Sequence, residues 1–165
     1  MIKIEELENL ANSKREENFK FRTFLKNHAD PGALDEQFKQ LHNKYFSIYD
    51  CSKCRNCCKQ CYGLIPLDEI EKDANKLNLS VDEFKEKYLQ SEIEDKCFKT
   101  KNYPCDFLQN NECILKECKP ETCKSFPHTN KENRMGSLWG IIDNTEICPV
   151  VYEIIEELKK LYSFH

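Results

Sequence analysis

Between Cys51 and Cys61 the chain reads Cys-Ser-Lys-Cys-Arg-Asn-Cys-Cys-Lys-Gln-Cys, so five of eleven consecutive residues are cysteine. Packing alone does not place thiols at this density. Thiols three residues apart can converge on one metal ion or cluster, because the intervening loop lets the sulfurs turn inward. The adjacent pair Cys57 and Cys58 adds a constraint, since neighbouring side chains on an extended backbone point to opposite sides. The expectation is two thiolate sites sharing a wall.

Two metals compete on spacing. Cys54-x2-Cys57 or Cys58-x2-Cys61 alone is a zinc knuckle that needs two further ligands. Cys51-x2-Cys54-x2-Cys57-x3-Cys61 reproduces a bacterial ferredoxin spacing, with Tyr62 where that motif carries proline, and tips the balance slightly to an iron-sulfur cluster over Zn²⁺. A disulfide scaffold is the alternative. The odd total of 11 cysteines and the expected reducing compartment argue against it.

That compartment is read from the N-terminus. Met1-Ile2-Lys3-Ile4-Glu5-Glu6-Leu7 carries acids where a signal peptide needs an apolar run, and no stretch approaches the roughly 18 apolar residues of a membrane span. The expectation is a cytoplasmic protein. A net charge of -4 with 33% charged residues implies no nucleic-acid face.

At 165 residues the fold expected is mostly α with small irregular β elements: a metal-stabilised cysteine-cluster domain behind an N-terminal helical hairpin that packs across it. The boundaries are 1–49 for the helical extension and 50–165 for the cysteine-cluster domain with its C-terminal helix. In the extension Leu34, Phe38, Leu41 and Tyr45 form an amphipathic stripe, faced by Phe21, Phe24 and Leu25 across a break at Asp30-Pro31-Gly32. After the cluster a helix opens at Pro66 or Leu67, with Ile70, Ala74 and Leu77 inward. Ser80-Val81-Asp82-Glu83 is a capping box for a helix over 81–90.

The second cysteine group is Cys97, Cys105, Cys113, Cys118 and Cys123. Gln109-Asn110-Asn111 suits a hairpin turn that brings Cys105 near Cys113, because Asn tolerates positive φ. Pro120 starts a turn carrying Cys123 towards them, and 128–133 reads as a surface loop. Leu138 to Asp143 reads as a buried strand. Cys148-Pro149 then opens a last helix whose N-terminus favours thiolate. Two thiolate sites would concentrate about four negative charges, for which Lys53, Arg55, Lys59, Lys116, Lys119 and Lys124 are the candidate counter-charges. No glycine-rich nucleotide loop or nucleophile-base arrangement is present among motifs that would signal catalysis.

Over roughly residues 51–149 the chain resembles the cysteine-cluster proteins described as zinc- or iron-chelating, the YkgJ-like or CxxCxxCC family. Cys51, Cys54, Cys57 and Cys58 match its eponymous motif. Cys105 with Phe107-Leu108, Cys113-Ile114, Pro120-Glu121-Thr122-Cys123, Phe126-Pro127 and Cys148-Pro149 match the elements that follow, with Leu115 and Lys119 departing from it. The resemblance implies eight metal ligands: Cys51, Cys54, Cys57, Cys58, Cys105, Cys113, Cys123 and Cys148. Cys61 and Cys118 are extras that could replace one of them, and Cys97 matches no family position. Because the sequence shows ligands without a recognisable substrate site, the expected function is a structural or accessory metal-binding module with a protein as its candidate partner and no membrane or nucleic acid. The alternative, from the larger flagellin lysine N-methylases that carry the same motif, is a redox or methyl-transfer enzyme using an iron-sulfur centre.

Overall fold

The computed structural model describes residues 1–93 and 97–165, with the backbone alone for 91–93. Of the charged run from Glu92 to Lys96 beside Cys97, residues 94–96 therefore lie outside the described residues. The fold is mostly helical, with a few short antiparallel strands. In chain order the elements are α1 (Ile4–Ser13), α2 (Arg15–His28), α3 (Pro31–Phe46), α4 (Cys51–Cys54), α5 (Asn56–Gln60), β1 (Leu64–Pro66), α6 (Ile70–Lys76), α7 (Val81–Tyr88), β2 (Leu89–Ile93), β3 (Cys97–Thr100), β4 (Leu108–Gln109), β5 (Glu112–Cys113), α8 (Glu121–Lys124), α9 (Arg134–Asp143) and α10 (Pro149–Leu161). No helix among the described residues is long and apolar enough to cross a membrane.

The elements form two compact units, Met1–Cys51 with Pro127–His165, and Ser52–Phe126. In the first, α3 packs on α9 and α10, α2 on α9, and α1 on α10. The expected stripe Leu34, Phe38, Leu41 and Tyr45 is buried, as are Phe21 and Leu25, and Ile154, Ile155 and Leu158 of α10 join this core. Proline at its first position and the Asp30 side chain, accepting from Ala33 N–H at 2.8 Å, start α3. Charges close the seam between α1, α2 and α10. The Lys159 ammonium, 4% exposed, donates to Glu17 at 2.5 Å and Glu156 at 2.7 Å, and Lys14 also donates to Glu156.

Residues 127–165 group with the N-terminal helices in this unit, where α3 and α10 pack on each other. One expectation changes here. Leu138 to Asp143 is not a strand but the second half of α9. Leu138, Ile141 and Ile142 are its buried residues, and a short apolar run does not by itself separate strand from helix. What starts α9 is tertiary: the Asp35 carboxylate on α3 accepts the Asn133 and Arg134 backbone N–H groups, both at 2.7 Å. The loop before it is polar, yet Thr129 is buried and its hydroxyl meets His42 Nδ1 at 2.8 Å.

The second unit is built from shorter pieces. β1, β3 and β2 form an antiparallel sheet in that order, with Ile65 opposite Phe98 and Leu89 opposite Thr100, and an irregularity between Leu89 and Glu92. Pro66 ends the edge strand β1, where its missing N–H costs no ladder bond, and a 3₁₀ turn over Leu67–Glu69 precedes α6. The helix expected at Pro66 or Leu67 thus begins later. The capping box is present, with Ser80 Oγ accepting from Glu83 N–H and Glu83 accepting from Ser80 N–H at 2.8 Å. The helix it starts ends at Tyr88, where the chain turns into β2. Ile65, Ile70, Ala74, Phe84, Leu89, Phe98, Phe107 and Leu115 form the core, with the Phe84 and Phe107 rings stacked at 5.7 Å.

Candidate metal centre

The cysteine-rich segment folds as two short helices. Arg55 takes a left-handed conformation, φ 53°, between α4 and α5, so the axis breaks between Cys54 and Cys57. The buried Asn56 follows. Its backbone N–H donates to Cys54 Sγ at 3.4 Å, and its side-chain oxygen accepts from Gln60 at 3.3 Å. Cys57 and Cys58 are consecutive helical residues, not extended ones as expected, and successive side chains on a helix diverge by only about 100°. Their sulfurs stand 4.0 Å apart instead of facing opposite ways.

Beyond α5 the chain is extended at Cys61, whose N–H donates to Cys57 C=O at 2.9 Å. Gly63 then passes close to β3. Its C=O accepts from Thr100 N–H at 2.9 Å and its N–H donates to the Thr100 hydroxyl at 2.8 Å, and a β-carbon there would stand 3.1 Å from Thr100 Cγ2 and 3.9 Å from Cys105 Sγ. An added side chain would press first on the Thr100 side chain of β3. Within that loop Asn102 donates twice to the Asp106 carboxylate, at 3.1 and 2.8 Å. The Cys105 N–H donates to Cys58 C=O at 2.7 Å, a bond that ties the two cysteine groups together.

The hairpin forms as the sequence implies. Asn110 and Asn111 both have positive φ, 49° and 61°, the pattern of a type I′ turn, and Leu108 pairs with Cys113. Pro120 then leads into α8, where the Thr122 hydroxyl donates to Leu64 C=O at 2.5 Å and Glu121 N–H donates to the Glu69 carboxylate. These bonds bring Cys123 against β1.

Several of these thiols interact electrostatically. Cys61 lies within electrostatic reach of Cys58 and Cys123; Cys105 of Cys58, Cys113 and Cys123; and Cys123 of Cys58 and Cys113. Their environments differ. The Cys58 thiol is drawn down to about 6, first by the hydrogen bond with Cys57 and further by Lys119, Arg55 and Lys59, against the opposing effect of burial. Burial pushes Cys105 up to about 12 and also raises Cys61 and Cys123, with neighbouring thiols adding to each rise. Thiolate is thus favoured at Cys58 and the protonated thiol at Cys61, Cys105 and Cys123.

The remaining cysteines lie on other elements. Cys51 is exposed at the start of α4, in the first unit. Cys148, also in the first unit, is buried at the N-cap of α10, with its N–H on Asn144 C=O at 2.9 Å. Cys97 sits in β3 opposite Pro66 and Ile93, and Cys118 packs against the apolar core. Of the expected counter-charges, Arg55, Lys59 and Lys119 face Cys58, whereas Lys124 acts on Asp73.

Asp73 was not singled out by sequence. It is fully buried in α6, both carboxylate oxygens lack a hydrogen-bond partner, and the Lys72 ammonium is 4.0 Å away. The signal was available: Asp73 stands on the same helical face as Ile70, Ala74 and Leu77, where an apolar residue belongs. Lys99, whose ammonium lies 3.7 Å over the Tyr62 ring while Tyr103 packs edge-on to that ring, is a second feature that spacing does not reveal.

As the side chains stand, no group of three or more His, Cys, Asp or Glu among the described residues is arranged to hold a metal ion. Sulfurs from α5, the hairpin and α8 all belong to one unit. Arg55 Nε is buried beside them without a hydrogen-bond partner, a cation suited to an anionic neighbour. Compared with protein-family models, curated proteins and solved structures, the chain matches none of them.

Proposed function

We propose that this protein binds metal through cysteine thiolates, with Cys58, Cys105, Cys113 and Cys123 as the principal ligands in the Ser52–Phe126 unit and Cys61 beside them. The observation that carries this reading is the gathering of those thiols from α5, the 105–113 hairpin and α8, with Cys105 tied to Cys58 by a backbone bond. The resemblance to the YkgJ-like proteins supports it through the same residues. Cys51, Cys54, Cys57 and Cys148 complete the proposed ligand list, as two cysteine-ligated centres require.

The role is structural or accessory, serving a protein partner in the cytoplasm. A metal bound by thiolates alone stabilises irregular loops, and a closed shell leaves no position for a substrate. Iron-sulfur and zinc both suit this donor set. The chain's own residues supply the counter-charge, with Arg55, Lys59 and Lys119 around Cys58. Metal analysis of protein purified under nitrogen tests the reading, together with its visible spectrum. Stoichiometric zinc in a colourless protein, or iron with matching sulfide and broad absorption near ~400 nm, is the expected result. Less than half an equivalent of any metal contradicts it.

A further inference from the structure

On the outer side of α9 the side chain of Trp139, the chain's only tryptophan, is left 56% exposed. It does not stand alone, as scattered exposed apolar residues do. Phe19 of α2 packs on it at 4.7 Å, the Arg22 guanidinium lies 5.5 Å from its ring centroid, and Arg15 lies 5.2 Å from the Phe19 ring. Arg15, Phe19 and Arg22 stand at i, i+4 and i+7, on one face of α2. Aromatic rings with arginines are the composition of interface centres. Next to Trp139, Gly140 is exposed, and a β-carbon built there would meet nothing within 4 Å. Glycine inside a helix is destabilising relative to alanine, and packing within this unit does not call for it.

Charge decides what fits this face. Arg15 is shared between Asp143 at 3.0 Å and Glu146 at 2.5 Å, so one negative charge is left over at the C-terminal end of α9. Arg22 lies towards the other end, because α2 and α9 run antiparallel where residue 15 meets 143 and residue 22 meets 139. It has no ion pair among the described residues, and its Nε is buried without a hydrogen-bond partner. The face therefore carries an uncompensated cation at one end and a surplus carboxylate at the other, with Trp139 and Gly140 between them. We propose that two copies of the chain meet here in a two-fold dimer, with the axis crossing α9 at Gly140, so that Arg22 of each copy faces Asp143 and Glu146 of the other. An isologous contact requires this kind of self-complementarity. The proposal is independent of the thiolate reading, since every residue it uses lies in the helical unit.

The test is sedimentation equilibrium on the full chain, kept reduced under nitrogen so that no intermolecular disulfide counts as a dimer. The expected result is a concentration-dependent rise to twice the mass of one chain, with the Trp139 fluorescence moving to shorter wavelength over the same range. Gly140→Glu enters open space in the single chain, so it should keep the circular dichroism of the wild type, hold the chain monomeric and abolish the fluorescence shift. Arg22→Glu sets like charges opposite each other and should raise the dissociation constant about tenfold or more. A wild-type chain that stays monomeric up to millimolar concentration overturns the proposal and leaves the face to a different protein. A dimer that forms equally well in Gly140→Glu uses another surface and overturns it too. An unchanged dissociation constant in Arg22→Glu overturns the charge match on which it stands.

Discussion

The two units of this chain face the same problem, ordering a backbone, with different means. The unit of residues 1–51 and 127–165 has helices of 10, 14, 16, 10 and 13 residues whose apolar stripes cover one another. The Ser52–Phe126 unit has helices of 4 to 8 residues and strands of 2 to 5. Its core draws on α6, α7, the strands and the hairpin through Phe107 and Leu115, and α5 and α8 contribute no residue to it. Short elements do not hold themselves, because isolated helices below about 12 residues are marginal. The comparison teaches that cysteines occur at high density where the elements are shortest.

Breaking the sulfur set is expected to have the largest effect. Under the proposal, Cys58→Ser, Cys113→Ser or Cys123→Ser removes metal and leaves a poorly folded or insoluble chain, because metal binding and folding are one equilibrium when the site does not preform. Cys97→Ser should retain metal and solubility. Metal content and soluble yield report both. Full metal retention in Cys58→Ser would show that the cluster is not what orders this unit.

In the helical unit the corresponding test is Phe38→Ala. Phe38 is fully buried, and its truncation should cost about 3–5 kcal/mol with no change in metal content. Urea denaturation followed by circular dichroism measures this, and a cost below ~1 kcal/mol would contradict a packing-dominated unit.

Asp73 gives an effect specific to pH. Burial, opposed by Lys72 and Lys124 and reinforced by Glu69, raises its carboxyl from 3.8 to about 6. The folded value lies above the unfolded one, so the buried charge costs stability above pH 6. That cost fades as pH falls from about 6 towards 4 and is absent below. Asp73→Asn should therefore be more stable than the wild type at pH 7.5, and the two should converge by pH 4. A difference that stays constant with pH would contradict this assignment. The smallest effect is at α7: Ser80→Ala removes the capping hydroxyl and should cost about 1 kcal/mol.

Local features were legible in the sequence. The capping box at Ser80 and Glu83, the Asn110-Asn111 turn, the stripe from Leu34 to Tyr45 and the Pro149 helix start all depend on neighbouring residues, and spacing reports them. What spacing missed depends on partners far along the chain. α9 reads as a strand until the Asp35 carboxylate, nearly a hundred residues earlier, is seen at its N-terminus. The sheet was hidden because β2 and β3 are interrupted by charge and irregular register. For the candidate site, the pairing of Cys105 with Cys113 followed from the turn. The placement of Cys57 beside Cys58 did not, because it depends on α5 being helical after the left-handed Arg55.

The central claim is that thiolate-bound metal orders one unit and not the other, and hydrogen exchange followed by mass spectrometry tests it directly. Metal-loaded protein under nitrogen is compared with the same protein after chelation. The account predicts that amides of β1, the 105–113 hairpin and α8 lose protection on metal removal while those of α2 and α3 keep theirs. Equal protection of the hairpin and α8 with and without metal would contradict it.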